Sequence, residues 1–558
     1  MKKKKFIFMG VMIALLGLGA KGINSVYPLM IQRIIDNLTL REPVLMLLVL
    51  LLAAGIIITI CDVLGGWMSE MFAGHMKKNM RIGILKALYR KAPHDFYSVK
   101  TSDYVSLLNQ NVDTVTEKYY MTGFTIFKCL VTMFVSVASL VYIDYKLMLV
   151  VIGVTLIPLI NPLLWGRILD RKNSWLSEAL KIMNGGIHEY LDGYMFARLY
   201  HLKDRFLGRA SKASGTVLEA EKSIAGTAAV SGGVSGILGY AGYVLIIAYG
   251  ACLIQKGEIG VGALFAAIQL ADNIAPPMTA FSHLVNDMLS VRGMKKELWT
   301  LMDDDSKQKE GHRGIEFDGS SLKLEHVTVN IAGRNIVEDV NLTFEHGKKY
   351  MVIGPSGAGK STLFKLLTQI YVPSEGKVLI GNAELCDIDV RDFYEHTGIV
   401  SQDGFILDDT LENNIFLWRD HAEKDKKAAE ALMGLGDILI NVPWESNCIN
   451  GGYGLSGGEK QRIALVRMMW QPKEILLLDE PVSALDSVNR GLFDSWVKAQ
   501  NATVLHISHD MNENAMRCYD CIIYMENGKV KMMGSYEQLS QNKTFMDFVR
   551  RERDVGDK

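Results

Sequence analysis

Gly354-Pro355-Ser356-Gly357-Ala358-Gly359-Lys360-Ser361-Thr362 follows the aliphatic run Tyr350-Met-Val-Ile353 and opens a helical pattern, Thr362 to Leu367. The spacing is GxxxxGK[ST], and the strand–loop–helix context is the one this motif requires. Its glycines let the backbone turn N–H groups onto phosphate oxygens, at a helix N-terminus that already favours anions. Lys360 can reach the β- and γ-phosphates of a bound nucleotide, and the Ser361 hydroxyl can ligate Mg²⁺. The expected ligands are therefore a nucleotide's phosphates and Mg²⁺.

Downstream, Ile475-Leu-Leu-Leu478-Asp479-Glu480 has the unbroken aliphatic character of a fully buried parallel strand. That places Asp479 at the strand's carboxyl end, near the phosphates, where it would help to hold Mg²⁺. Glu480, one residue on, could polarise an attacking water. From Ser321 onward, strands alternate with helical patterns and Gly-rich turns, the pattern of an α/β domain.

The first half is of another kind. The 558 residues are 49% hydrophobic with a net charge of −1, and the mean hydropathy is +0.14. Such a chain is not disordered, and its apolar residues crowd ahead of Leu289. The charge balance offers no footprint for nucleic acid. Lys2 to Lys5 followed by Phe6 to Ala20 could pass for a signal peptide, but the apolar pattern runs on to Ile35 and reads as a retained first span. Further spans begin at Val44 to Cys61, Gly123 to Ile143, Leu147 to Leu164, Ala229 to Ile254 and Ile259 to Leu270 onward, the sixth broken by Asp272-Asn273 and Pro276-Pro277.

Lysine and arginine gather between spans two and three (Lys77 to Lys118) and between spans four and five (Arg167 to Lys222). The positive-inside rule then puts both termini in the cytoplasm, and the helical periodicity of these connections extends the spans beyond the bilayer. Ionisable residues inside spans hint at a pathway. Lys21 and Asp272 look deep enough to line one, whereas Asp62 and Lys128 fit the inner interface, where snorkelling would make them structural. The seven scattered cysteines form no disulfide framework, and Cys518-Tyr-Asp-Cys521 lacks the second pair that a zinc site needs.

Leu455-Ser-Gly-Gly-Glu459-Lys-Gln-Arg462 makes the resemblance specific. The chain resembles an ABC transporter, of which LSGG followed by KQR is the ATPase signature. In family order, Gln402 resembles the Q-loop glutamine, which also ligates the metal. Ser483-Ala-Leu-Asp486 resembles the D-loop and His509 the switch histidine. Thr101 to Asp113 resembles the segment after a first coupling helix, and Glu189-Tyr-Leu-Asp-Gly193 lies where the second is expected.

The resemblance implies a membrane all-α six-helix transmembrane domain (residues 1–302), a linker (303–320) and an α/β P-loop ABC ATPase domain (321–558), the layout of a half-transporter of the exporter fold. It also implies a dimer, in which Ser456, Gly457 and Gly458 of one subunit close over ATP held by Lys360 of the other. Two departures stand out. Ile331 occupies the position where an aromatic usually stacks on adenine, and Cys448-Ile-Asn-Gly-Gly452 lacks the charged residues common before the signature. Signature and Glu480 are both intact, which favours an identical partner over a degraded one. Export of a peptide, lipid or amphipathic small molecule across a bacterial cytoplasmic membrane is the leading expectation. Uptake of a siderophore-like substrate and a non-transporting regulatory ATPase are the alternatives.

Overall fold

A computed structural model of the chain describes residues 3–157, 160–303, 321–331, 333–402, 404–448, 451–452 and 454–556. The expected linker thus lies outside the described residues except at Asp303, as do two residues of the departure before the signature. The chain divides into two compact units, one of Met1–Leu85 with Val105–Met302 and the other of Lys86–Tyr104 with Asp303–Lys558.

The first unit is helical. Its long elements are α1 (Lys3–Leu40) and α2 (Leu45–Tyr89), then the rod α4 (Thr101–Ile143), which follows the short α3 (Pro93–Tyr97) of the second unit. After them come α5 (Tyr145–Leu156), α6 (Ile160–Asp192), α7 (Tyr194–Leu199), α8 (Lys203–Gln255), α9 (Val261–Ser290) and α10 (Arg292–Asp303). Among the described residues, four helices are long and apolar enough to cross a membrane: Lys5–Leu40, Leu45–Tyr89, Thr101–Ile143 and Lys203–Gln255. They correspond to expected spans one, two, three and five.

The fourth expected span begins as the short apolar helix Tyr145–Leu156. The sixth is α9, a continuous helix despite Pro276 and Pro277, whose Gln269, Asp272 and Asn273 dilute its apolar character. It is packed inside the bundle instead: Ala263, Ala266, Ala267, Leu270, Ala271 and Ile274 are all buried. Such small side chains let neighbouring helices approach closely. Elsewhere the apolar surface points outward, with Phe134 78% and Leu52 67% exposed, which water would not tolerate and hydrocarbon would.

The second unit is built on β1 (Leu322–Ile331), β2 (Arg334–Phe344), β3 (Lys349–Ile353), β4 (Glu375–Ile380), β5 (Ala383–Glu384) and β6 (Thr397–Val400). These are followed by β7 (Asp409–Thr410), β8 (Asn447–Cys448), β9 (Ile475–Asp479), β10 (Thr503–Ile507), β11 (Cys521–Glu526) and β12 (Lys529–Gly534). One sheet has the order β2-β1-β4-β5 and is antiparallel; the larger runs β12-β11-β3-β10-β9-β6. In the larger sheet all pairings are parallel except that of the edge strand β12.

Both faces of this sheet are covered. Leu476 and Leu478 join one apolar cluster, and Ile475 and Leu477 join the other. This is the two-residue alternation of a strand buried on both sides. The consequence for function is geometric. Parallel strands point their carboxyl ends the same way, so the loops after β3, β6, β9 and β10 meet along one edge.

Candidate active site

Those four loops carry the expected residues. After β3 the chain turns through Gly354, with φ +155°, and Gly359, with φ +97°, before α11 (Lys360–Leu367) begins. A Cβ on Gly354 would stand 2.1 Å from the Met525 carbonyl oxygen, and one on Gly359 2.8 Å from that of Ile336. Only glycine fits either position. Gly357, by contrast, faces open space. The buried Lys360 ammonium donates to the carbonyls of Gly354 at 2.6 Å and Pro355 at 3.1 Å. Its burial lowers its pKa, opposed by the nearby carboxylates of Glu480, Glu552 and Asp479.

Asp479 ends β9, and burial pushes its carboxyl up to about 6, with Glu480 adding to the rise and Lys360 opposing it. Glu480 adopts a left-handed backbone, φ +49°, while its N–H donates to the Ile507 carbonyl at 3.0 Å. A non-glycine residue in that region is strained, a condition that clusters at functional sites. Its two carboxylate oxygens are separately engaged. Gln402 Nε2 donates to Oε2 at 3.1 Å, and His509 Nε2 lies 3.1 Å from Oε1. The three residues expected to be catalytic therefore converge, although Gln402 and His509 are 107 positions apart in the chain.

The residues present fit a nucleotide phosphate with Mg²⁺. A buried ammonium stands at a helix N-terminus, and a carboxyl raised by burial stands next to a second carboxylate whose charge a divalent cation would offset. Among the described residues, no group of three or more His, Cys, Asp or Glu side chains could hold a metal by itself. Ser361, Gln402 and Asp479 are the residues that would hold Mg²⁺, whose charge would offset that of the phosphates.

The signature stands apart from this cradle. Ser456 caps α12 (Gly457–Met469) in a reciprocal box: Glu459 N–H donates to Ser456 Oγ at 3.2 Å, and Ser456 N–H donates to Glu459 Oε2 at 2.7 Å. The box holds the Glu459 carboxyl below its ordinary range. Among the described residues, no hydrogen bond or ion pair joins Ser456, Gly457 or Gly458 to the phosphate loop. Ile331 lies at the tip of the β1–β2 hairpin, paired with Arg334.

Sequence reasoning missed the residues that tie these parts together. Gln461 Nε2 donates to Ser483 Oγ at 2.8 Å, and the Ala484 N–H donates back to Gln461 Oε1 at 2.9 Å. The signature helix is thereby bonded to the loop after Glu480. Arg553, in α14 (Lys543–Gly556, numbered after α13, Ser487–Ala499), donates to the Met511 carbonyl at 2.9 Å, two residues beyond His509. A cleft of about 740 Å³ opens beside Glu480, Ser483, Arg490, His509 and Glu552. Capping and periodicity gave no signal for any of these contacts, because each partner is remote in sequence.

In the helical unit, Lys21 and Asp272 are not brought together. Lys21 Nζ pairs with Asp62 Oδ2 at 3.0 Å, and Asp272 accepts from the Tyr243 hydroxyl. Asp62, expected nearer the interface than Lys21, is thus at the same level.

Residues 10–274 match the family described as ABC transporter transmembrane region, and residues 337–483 match ABC transporter. A β-(1→2)glucan export ATP-binding/permease protein of Agrobacterium vitis is 29% identical over 332 residues, 58% of this chain and 56% of that one. The chain thus spans little more than half of that relative's length. An ATP-dependent lipid A-core flippase of Ralstonia nicotianae is 28% identical over 484 residues, 83% of this chain and 79% of that one. A solved bacterial Atm1-family ABC exporter with ATP bound superposes with a TM-score of 0.82 over 99% of each chain at 18% identity, a likeness of fold. With a transmembrane region and an ATP-hydrolysing domain fused in one chain, the protein belongs to the ABC transporter family as a half-transporter of the exporter fold.

Proposed function

We propose that two copies of this chain form a transporter that uses ATP hydrolysis to move an amphipathic substrate outward across the bacterial cytoplasmic membrane. The observation that carries this reading is the engagement of both Glu480 oxygens, by Gln402 and by His509, beside the Lys360 loop. In this reading Glu480 Oε1 or Oε2 accepts a proton from the attacking water, while His509 and Gln402 fix the carboxylate's direction. Gly354 to Thr362 wrap the phosphates, Ile331 packs on the base, and Ser361, Gln402 and Asp479 hold Mg²⁺, which when bound neutralises phosphate charge.

An identical partner supplies Ser456, Gly457 and Gly458, since both halves of the composite site are intact in this one sequence. Six spans, a transmembrane domain over 1–302, a linker over 303–320 and an ATPase domain over 321–558 in the cytoplasm complete the proposal. The segment carrying α3, which clusters with the ATPase unit, and α7, with exposed Tyr194, Phe196 and Leu199, would transmit closure to the spans. Outward movement is supported by relatives named for glucan export and lipid A-core flipping.

The test is Mg²⁺-dependent hydrolysis by the chain purified alone in lipid nanodiscs, with ATP-driven accumulation of labelled amphiphiles in inside-out vesicles. Hydrolysis without a partner supports the homodimer, and accumulation supports export. An absence of hydrolysis despite ATP binding overturns the homodimer, and ATP-dependent uptake in right-side-out cells overturns the direction.

A further inference from the structure

Three ionisable residues interrupt otherwise apolar helical runs: Lys21 in α1, Asp62 in α2 and Lys128 in α4. At 1.5 Å per residue they lie about 22, 27 and 24 Å along their helices from Asp36, Val44 and Asp144 at the far ends. From the basic residues at the other ends (Lys5, Lys77 and Lys118) they are about 24, 22 and 15 Å away. Measured from the far ends across a hydrocarbon core about 30 Å thick, all three lie within about 3–8 Å of its cytoplasmic edge, the level of inner-leaflet head groups and within reach of a lysine stem.

The structure brings them together. Lys21 and Asp62 pair at 3.0 Å, with side chains 31% and 42% exposed, so the pair is reachable. Lys128 lays its stem across α1 one turn away, against Gly17, where an added Cβ would stand 3.2 Å from Lys128 Cγ and 3.3 Å from Cε. Any side chain in place of Gly17 would crowd that path. Among the described residues Lys128 forms no ion pair, and Asp272 is engaged by Tyr243 on other helices. The cluster thus holds two ammonium groups against one carboxylate. A lysine without a carboxylate partner at the cytoplasmic edge of the hydrocarbon suits an anionic head group. Leu18, Val63 and Phe127, each adjacent in sequence to a member of the cluster, are exposed apolar side chains.

We infer that this cluster is a binding site for the anionic head group, phosphate or carboxylate, of a single-chain amphiphile, with Lys128 as its principal contact and Lys21 released in part from Asp62 when the anion binds. The inference deepens the transport reading by naming a substrate class, and it rests on that reading.

The probe is radiolabelled dodecyl phosphate, bound without nucleotide to the full-length protein in phosphatidylcholine nanodiscs, corrected for empty discs and compared with dodecyl maltoside. Saturable binding of dodecyl phosphate should exceed that of the maltoside by about ten-fold or more, the scale of a charge-assisted contact. Lys128→Gln should remove that preference, Lys128→Arg should keep it, and Asp62→Asn should tighten dodecyl phosphate binding. The opposite signs separate charge from misfolding, since a damaged protein does not gain affinity. Equal affinity for the two probes, an unchanged Lys128→Gln, or no gain in Asp62→Asn overturns the site. Displacement by phosphatidylglycerol in the disc would identify bilayer lipid as the source of the head group, and indifference to it would identify a soluble amphiphile. Because ATP is absent, failure here leaves the hydrolysis reading standing, and silent hydrolysis leaves this result standing.

Discussion

Gln402 Nε2 meets Glu480 Oε2 at 3.1 Å across two strand ends, while the other oxygen of the same carboxylate is taken by His509. The pairing β6–β9–β10 sets this distance, since Val400 registers with Leu478 and Ile507 with Asp479. Glu480 is held from both sides and also by its strained backbone, φ +49°, which fixes where its carboxylate sits.

Replacing Glu480 by Gln keeps the size and the hydrogen bond from Gln402 but removes the base. Hydrolysis should fall by about 10²-fold or more while ATP still binds. Phosphate release and nucleotide binding, measured side by side in nanodiscs, check this.

The phosphate loop should tolerate methyl groups unequally. Gly354→Ala meets the Met525 carbonyl at 2.1 Å, whereas Gly357→Ala enters open space with only its φ of +79° opposing it. Backbone strain of about 1–3 kcal/mol is expected at Gly354, with loss of nucleotide binding, against about 1 kcal/mol at Gly357. Thermal unfolding and nucleotide titration of the two variants would show the difference.

Acid should weaken the metal-dependent step. Asp479, raised to about 6 chiefly by burial, becomes protonated as pH falls through that value and loses the charge that would hold Mg²⁺. Mg²⁺-dependent nucleotide binding should therefore decline as pH drops from 7 to 5, and Asp479→Asn should be weak and flat across that range. Titrations at fixed nucleotide concentration read both.

His506 predicts a stability term. It is fully buried, its Nδ1 lies 2.5 Å from the Tyr519 hydroxyl, and burial depresses its pKa to about 3. The unfolded chain takes up a proton below about 6.5 that the folded chain refuses, so the contribution is full above that pH. It declines by at most about 1.4 kcal/mol per pH unit down to about 3. His506→Phe should flatten the acid limb of the unfolding profile. At pH 7 it should cost about 1–3 kcal/mol, because the Tyr519 hydroxyl is left unpaired.

Ile331→Tyr should tighten ATP by about two- to ten-fold, because an aromatic face adds about 0.5–1.5 kcal/mol over aliphatic packing. Unchanged affinity would place the base elsewhere.

The sequence alone determined whatever depends on neighbours along the chain. The glycine spacing from Gly354 to Gly359 dictates a phosphate loop, and Ile475 to Leu478 dictates a doubly buried strand. Each is a local rule of backbone conformation or side-chain period. Long apolar runs likewise dictated membrane helices at four places; the run containing Asp272 was ambiguous because its polar and proline residues suit a packed interior as well as a span. Tertiary structure decided the rest. Nothing local says that Gln402 and His509 share one carboxylate, that Gln461 bonds the loop after Glu480, or that Lys21 chooses Asp62 rather than Asp272. Those outcomes follow from strand order in the sheet and from which helix faces pack, and both are settled by burial summed over the whole chain.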